Sequence, residues 1–186
     1  KYPACYASHA TADAVKEIMA ADRLQASDIA SLTCTVPPVV ASNLTYPMPR
    51  TAAEAQFSLH FAIASIVLHG DITLKHLTTE VLSSAPIKRL MTRIIVKIGD
   101  VPEQYKSSRL ICPEWGYVEL KTQCGARKCC FVGSPVGSAF RPISNEMLKK
   151  KFNACVQYGN CNSSDFTLYD KILNIELLQN AQDLFS

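Results

Sequence analysis

The sequence predicts an α+β fold with a largely antiparallel sheet, covered by helices on one face, and with further helices at the C-terminal end. Apolar residues recur at helical spacing in several segments and alternate with polar residues in others. The alternating segments mostly look linked by hairpins, and no GxGxxG or other phosphate-binding loop occurs. A doubly wound parallel sheet is therefore not expected.

Composition indicates a globular protein with a substantial core. The chain has 186 residues, of which 48% are hydrophobic and 19% charged. A net charge of +3, with the basic residues scattered, provides no track for a nucleic-acid backbone. No secretion signal and no apolar run of membrane-spanning length is recognisable. We therefore expect neither a nucleic acid nor a membrane as partner.

The first predicted helix runs from about Ser8 to Ala21. Either Ser8 is its N-cap, or the helix already begins at Pro3. The segment SLTCTV then alternates between polar and apolar residues, which predicts a half-buried strand that ends at the pair of prolines behind it.

The next predicted helix spans residues 52–69. Thr51 and Glu54 have the spacing of a capping box, and Gly70 is a natural C-terminal stop. Because this segment is apolar on nearly every side, we expect one continuous helix at the centre of a domain or between domains. Short helices are predicted near residues 74–80 and 86–93.

The second half of the chain is richer in strand patterns. RIIVKIGD and SSRLICP each predict a strand, and GYVELKTQ and KCCFV predict a hairpin that turns at Cys124-Gly125. GSPVGSAFRP reads as a loop. Two helices are predicted at about Asn145–Tyr158 and Phe166–Asn180.

The eight cysteines do not have the spacing of a metal site or a disulfide framework. No CxxC pair is repeated, and all four histidines lie far from the cysteine-rich segment CGARKCC. We expect reduced thiols, no bound metal and no disulfide. Reduced thiols favour a cytoplasmic location or the mitochondrial matrix.

His9 is the first candidate for chemistry, in the opening stretch KYPACYASH. A lone histidine near the start of a helix is often a packing residue, and enclosure by the domain's own core would favour that role. A helix N-terminus, however, disfavours an imidazolium and attracts anions. We therefore expect a neutral His9 on an open face beside Cys5, where Lys1 adds a cation and a carboxylate-bearing substrate fits.

Three motifs in order resemble the second domain of the MmgE/PrpD family. They are the opening YPACYASHATADAV, the central PMPRTAAEAQFSLHFAIASIVLHGDI and the later GSPVGSAFRPISNEMLKKKF. The resemblance implies a smaller α+β lid domain, which in this family follows a larger helical domain. It thus implies that residues 1–186 form a single lid-like domain, in which residues 145–186 are a helical arm that packs on that absent N-terminal domain.

The resemblance also implies an activity and a set of site residues. Family members include 2-methylcitrate dehydratases, cis-aconitate decarboxylases and an iminodisuccinate epimerase, which act on small polycarboxylates without a metal or organic cofactor. It implies catalytic roles for His9 and Cys5, and substrate-binding roles for four residues: Lys1, Asn43, Tyr46 and Ser58. Gln56 stands where many members have a basic residue.

Three functions follow as expectations. The first is one half of a lyase that dehydrates or decarboxylates a di- or tricarboxylate. The second is an epimerase of the same family. The third is a non-catalytic domain that binds a partner or an acidic metabolite. For the enzyme the expected partners are a small polycarboxylate substrate, the N-terminal helical domain of the same protein and a second copy in a homo-oligomer, whereas the non-catalytic domain would stand alone.

Overall fold

The computed structural model describes residues 1–108, 110–159 and 165–184. The chain divides into two compact units, Lys1–Pro142 and Ile143–Ser186. The first unit carries the sheet and most of the helices, and the second is helical. This is the α+β class that the sequence predicts.

The sheet of the first unit has four strands in the described residues, in the order β2-β1-β3-β4. The strands are β1 (Ile29–Val36), β2 (Ile94–Ile98), β3 (Gly116–Thr122) and β4 (Arg127–Val132). β3 pairs antiparallel with both β1 and β4, whereas β2 pairs parallel with β1. Buried and exposed residues alternate along β1 and β3, so one face of the sheet is covered, as predicted.

Two strand expectations are wrong. We expected neighbouring strands to be joined mostly by hairpins, but β1 reaches β2 through a helical crossover, because a parallel pair cannot be joined by a tight turn. The segment SSRLICP is not a strand in its described residues, whose backbone bonds include Cys112 N–H to the Gly133 carbonyl. Arg109 of this segment lies outside the described residues.

Eight α-helices are found in the described residues. They are α1 (His9–Ala21), α2 (Pro38–Asn43), α3 (Ala52–Gln56), α4 (Leu59–His69), α5 (Thr79–Ser83), α6 (Ala85–Met91), α7 (Asn145–Tyr158) and α8 (Asp165–Leu173). The bounds of α7 match the predicted ones. α8 ends earlier than predicted, and 3-10 turns follow it at Ile175–Leu177 and Ala181–Leu184.

The predicted long central helix is interrupted. Phe57 leaves the helical conformation, and the Ser58 hydroxyl accepts the Phe61 N–H to begin α4 as a new helix. Gly70 ends α4 in the left-handed conformation, as expected. α4 is buried within the first unit, which is the first of the two places expected for it, at the centre of a domain.

The core of the first unit forms where α1 and α4 pack against each other, and where α1 packs on β3 and β4. The closest approach is at Gly116, the first residue of β3. A Cβ added there would lie 2.8 Å from backbone atoms of Thr11 on α1. Glycine is thus required at this position by space rather than by backbone conformation.

The second unit is built on the contact between α7 and α8. Lys149 pairs with Asp170 at 2.9 Å, and the Tyr169 hydroxyl donates to the Asn145 carbonyl at 3.0 Å. The ring of Phe152 packs on that of Tyr169. Several apolar side chains of this unit remain exposed: Met147, Leu148, Tyr158, Ile172, Leu173, Ile175 and Leu177.

Two general expectations concern thiols and membranes. Seven cysteines of the described residues are free thiols, and Cys161 lies outside those residues. None of the described helices combines the length and apolar character needed to cross a membrane.

We expect Gly116→Ala to lower the free energy of unfolding by about 1–3 kcal/mol, the usual cost of overpacking a close contact. The added methyl group would push α1 away from β3, because its neighbours at Thr11 include the side-chain hydroxyl and also backbone atoms, which cannot rotate aside. Thermal unfolding and urea titration measure the loss. Lys121→Ala on the exposed side of the same strand is the control, and it should change stability by less than about 0.5 kcal/mol. Equal stability of the two variants would contradict the packing argument.

Candidate functional site

The opening segment leads into α1 without a break. A 3-10 turn over Tyr6–Ser8 runs directly into the helix, which begins at His9. Ser8 occupies the N-cap position, but its hydroxyl donates to the Cys5 carbonyl and accepts no backbone N–H of the first helical turn in the described residues. Of the two starts that the sequence left open, the structure thus has the one at Ser8, although this serine does not cap through its side chain.

His9 is buried by its own domain. The residue is 5% exposed. The ring of Tyr2 packs edge-on against the imidazole, with 5.0 Å between the ring centroids. The Tyr6 ring lies at 5.2 Å. The expectation of an open face is therefore wrong, because the residues before the helix fold back over the imidazole.

The hydrogen bonds of His9 determine its tautomer. Nε2 lies 3.2 Å from the Ala4 carbonyl, which can only accept, so the proton of the neutral ring is on Nε2. Nδ1 then carries a lone pair, and this atom is buried without a hydrogen-bond partner in the described residues. The Thr11 hydroxyl, two residues further on, is also buried and has no hydrogen-bond partner among the described residues. Unpaired buried polar atoms of this kind are uncommon and call for an explanation.

Burial lowers the pKa of His9 to about 4, so the ring is neutral near pH 7. The sequence predicted a neutral imidazole from the positive end of the helix. In the structure the first cause is the removal of the ring from water. A neutral ring with a free lone pair is the form that accepts a proton.

Lys1 is engaged by a buried carboxylate. Its ammonium donates to Asp13 Oδ1 at 2.5 Å, and Asp13 is 2% exposed. The Tyr2 hydroxyl donates to the same oxygen at 2.7 Å. Because the charge of Lys1 is compensated by Asp13, this lysine offers less attraction to a substrate carboxylate than the sequence suggested.

Cys5 is half-buried and joined to the rest of the domain through its backbone. Its N–H donates to the Gln56 carbonyl at 2.8 Å. The Gln56 amide in turn donates to the Pro3 carbonyl at 3.2 Å. Gln56 therefore braces the opening segment against the end of α3.

Of the three other residues predicted to bind substrate, two are exposed to solvent and one is buried. Asn43 ends α2, which packs beside the turn Tyr6–Ser8, and its side chain is exposed. Tyr46 follows and is 41% exposed. Ser58, by contrast, is 1% exposed, and its hydroxyl accepts the Phe61 N–H that begins α4.

Sequence reasoning missed Asp13 and its contact with the loop between β4 and α7. Asp13 Oδ2 accepts the Val136 N–H at 2.8 Å, which places this loop beside α1. A signal for Asp13 was present: it stands four residues after His9, on the same helical face, within an apolar run. Nothing in the sequence pattern indicates the contact with Val136, which joins residues far apart in the chain.

Metal-binding groups do not converge in the first unit or elsewhere in the part of the chain that the structure describes. No cluster of three or more His, Cys, Asp or Glu side chains there could hold an ion.

The buried His9 predicts a loss of stability in acid. The unfolded chain takes up a proton near pH 6.5, whereas the folded chain resists protonation until about pH 4. Stability from this group is therefore fully present above about pH 6.5 and falls as the pH drops toward 4, by no more than about 3 kcal/mol. Urea unfolding of wild type and His9→Gln at several pH values measures it. The difference between the two proteins should shrink over this window, and parallel curves would contradict the assignment.

A comparison with known protein families covers the opening segment and the loop after β4, both of which carry the resembling motifs. No curated protein matches the chain. The family model described as the MmgE/PrpD C-terminal domain matches residues 2–167, which include α1, the whole sheet and α7. The chain therefore belongs to the MmgE/PrpD family, and the matched region is its C-terminal domain.

Proposed function

We propose that this domain is one half of a cofactor-independent lyase that acts on a small di- or tricarboxylate. The proposed reactions are dehydration of a 2-methylcitrate-like substrate or decarboxylation of a cis-aconitate-like one. Family membership supports an enzyme of this kind. The observation that carries the proposal is the Nδ1 lone pair of the neutral His9, which has no hydrogen-bond partner in the residues that the structure describes.

In the proposed dehydration, Nδ1 of His9 removes a proton from the carbon next to a carboxylate. The electron pair of that C–H bond forms the new double bond, and the hydroxyl of the neighbouring carbon leaves with a proton as water. In the decarboxylation the C–C bond to one carboxylate breaks and carbon dioxide leaves, while the electron pair stays on the substrate as a carbanion that takes a proton from solvent. A nearby cation would stabilise the negative charge that develops on the carboxylate.

The geometry sets two conditions on this chemistry. Nδ1 is closed to solvent, so Tyr2 or Tyr6 has to move before a substrate reaches it. Lys1 is paired with Asp13, so most of the cations have to come from another surface. We assign them to the N-terminal helical domain of the same protein. We also place the protein in the cytoplasm or the mitochondrial matrix, in keeping with the free thiols.

Two alternatives are supported by particular observations. An epimerase needs the same proton removal, followed by reprotonation on the other face, and would use the same His9 lone pair. A non-catalytic binding domain is favoured by the 5% exposure of His9, which is also typical of a packing histidine. Kinetics of the intact protein separate all three.

We expect His9→Gln to lower kcat of the intact protein by about 10²–10⁴-fold on whichever of 2-methylcitrate, cis-aconitate or iminodisuccinate it converts, because a general base is lost. His69→Gln is the matched control, since His69 is exposed at the end of α4. The reaction is followed by NMR in deuterium oxide. Loss of substrate identifies a lyase, and deuterium uptake with inversion identifies an epimerase. Full activity of His9→Gln would contradict a catalytic role, and no turnover by wild type would favour the binding domain.

Exposed apolar side chains support a partner surface. One of them, Tyr6, belongs to the opening motif, and four others of the first unit are Val39, Tyr46, Met48 and Phe57. In the second unit Ile175 is 57% exposed and Leu177 74%. Exposed apolar side chains in such number are typical of an interface. We assign these side chains to contacts with the N-terminal helical domain, or with a second copy of the chain in a homo-oligomer.

We expect the isolated chain to self-associate in sedimentation experiments, and the helical domain added in trans to suppress this. The double variant Ile175→Ser/Leu177→Ser should weaken the association, because it removes apolar surface without touching the core. Lys121→Ala, also exposed, is the control. The isolated chain should be inactive on all three polycarboxylates. A monomer at high concentration, or turnover without the helical domain, would contradict the assignment.

A further inference from the structure

Asp13 is the most highly connected buried charge in the opening region. It lies one helical turn after His9 and is 2% exposed. Its Oδ1 accepts from the Lys1 ammonium and the Tyr2 hydroxyl, and its Oδ2 accepts from the Val136 N–H. One carboxylate thus joins the N-terminal segment, α1 and the loop Gly133–Pro142.

The pattern of donors requires a carboxylate. All three partners donate, so both oxygens of Asp13 have to accept. The amide of an asparagine accepts at only one of the two positions and would turn an NH₂ group toward a donor at the other. The positive charge of Lys1 compensates for the burial of the carboxylate, as a buried charge needs.

Each bond of Asp13 bears on the surroundings of His9. Tyr2, held through its hydroxyl, is 4% exposed and covers His9 with the edge of its ring. Val136, held through its N–H, belongs to the loop that also carries Ser138, a neighbour of Tyr6. Tyr6 is the second ring against His9. The two aromatic neighbours of the imidazole are therefore both connected to Asp13, one directly and one through the loop.

We infer that Asp13 is a positioning residue, whose carboxylate fastens Tyr2 and the loop Gly133–Pro142 around His9. It acts through these groups and touches no reacting atom itself. That this arrangement serves catalysis rests on the function proposed above. Whether Asp13 holds Tyr2 and the loop in place can be tested in the folded domain, without measuring turnover.

The test is the titration of His9 by NMR in wild type, Asp13→Asn and Tyr2→Phe, with the His9 signal identified by its loss in His9→Gln. In wild type the ring titrates at a pKa of about 4 because it is buried. In Asp13→Asn we expect the pKa of His9 to rise toward 6.5, as Tyr2 is released and water reaches the ring. The removal of the Asp13 charge alone would move the pKa in the opposite direction, so the sign of the shift is diagnostic.

Two further variants make the test specific. Asp22→Asn is the matched control, since it makes the same change at the other end of α1, where Asp22 pairs with Lys128 at 32% exposure, and it should leave His9 unchanged. Tyr2→Phe keeps the ring and removes only its bond to Asp13, so it should reproduce part of the rise. The effects of Tyr2→Phe and Asp13→Asn should not add in the double variant. If Asp13→Asn fails to fold, the His9 titration in Tyr2→Phe alone tests the inference.

The inference is overturned if His9 still titrates at about 4 in Asp13→Asn. If Asp13→Asn does not fold, the same result in Tyr2→Phe overturns it. Kinetics of the intact protein distinguish this failure from that of the proposed function. If both hold, Asp13→Asn lowers kcat by about 10–10²-fold, since a misplaced base costs that much, and Asp22→Asn does not. Full activity of His9→Gln overturns the catalytic role alone, while the shift of the His9 titration in Asp13→Asn still supports the fastening.

Discussion

The direct contact between α1 and the sheet at Gly116 is the constraint on which the first unit depends. With no side chain at this position, the backbone of Thr11 can lie against the start of β3. Three carboxylates then hold the helix along its length, because Asp13 binds Val136, Glu17 binds Arg141 and Asp22 binds Lys128. The exposed pairs add little free energy, but together with the close contact they fix the register of α1 on β4. His9, at the start of this helix, is placed by the same contacts.

Local patterns predicted most of the elements and failed where distant residues decide the outcome. Capping at Gly70 and the bounds of α7 depend on neighbouring residues, and both were predicted correctly. The parallel pairing of β1 with β2 was missed, since register between strands some 60 residues apart leaves no trace in either strand's own pattern. The break at Ser58 was missed because the apolar residues on both sides continue with helical spacing, while the serine begins a second helix.

The family was predicted more successfully than the surroundings of the candidate site residues. The opening motif and the order of three motifs were enough to predict the family, which the match over residues 2–167 confirms. The neutral form of His9 was also predicted, but its burial was not, because the covering rings belong to Tyr2 and Tyr6 on a segment that folds back on itself. Burial of this kind depends on Asp13 and on a loop more than a hundred residues later.

The position of β1 in the sheet has a consequence for how the domain folds. β1 comes first in the chain, yet it lies between β2 and β3, and both of its ladders join residues that are far apart in sequence. The β3–β4 hairpin closes over a four-residue connection and is the one local pairing in the described sheet. Chain entropy therefore favours early formation of this hairpin, with β1 and α1 docking later across long closed loops. His9 begins α1, which precedes β1 in the chain. We therefore expect His9 and the segment that covers it to be among the last parts of the unit to assemble.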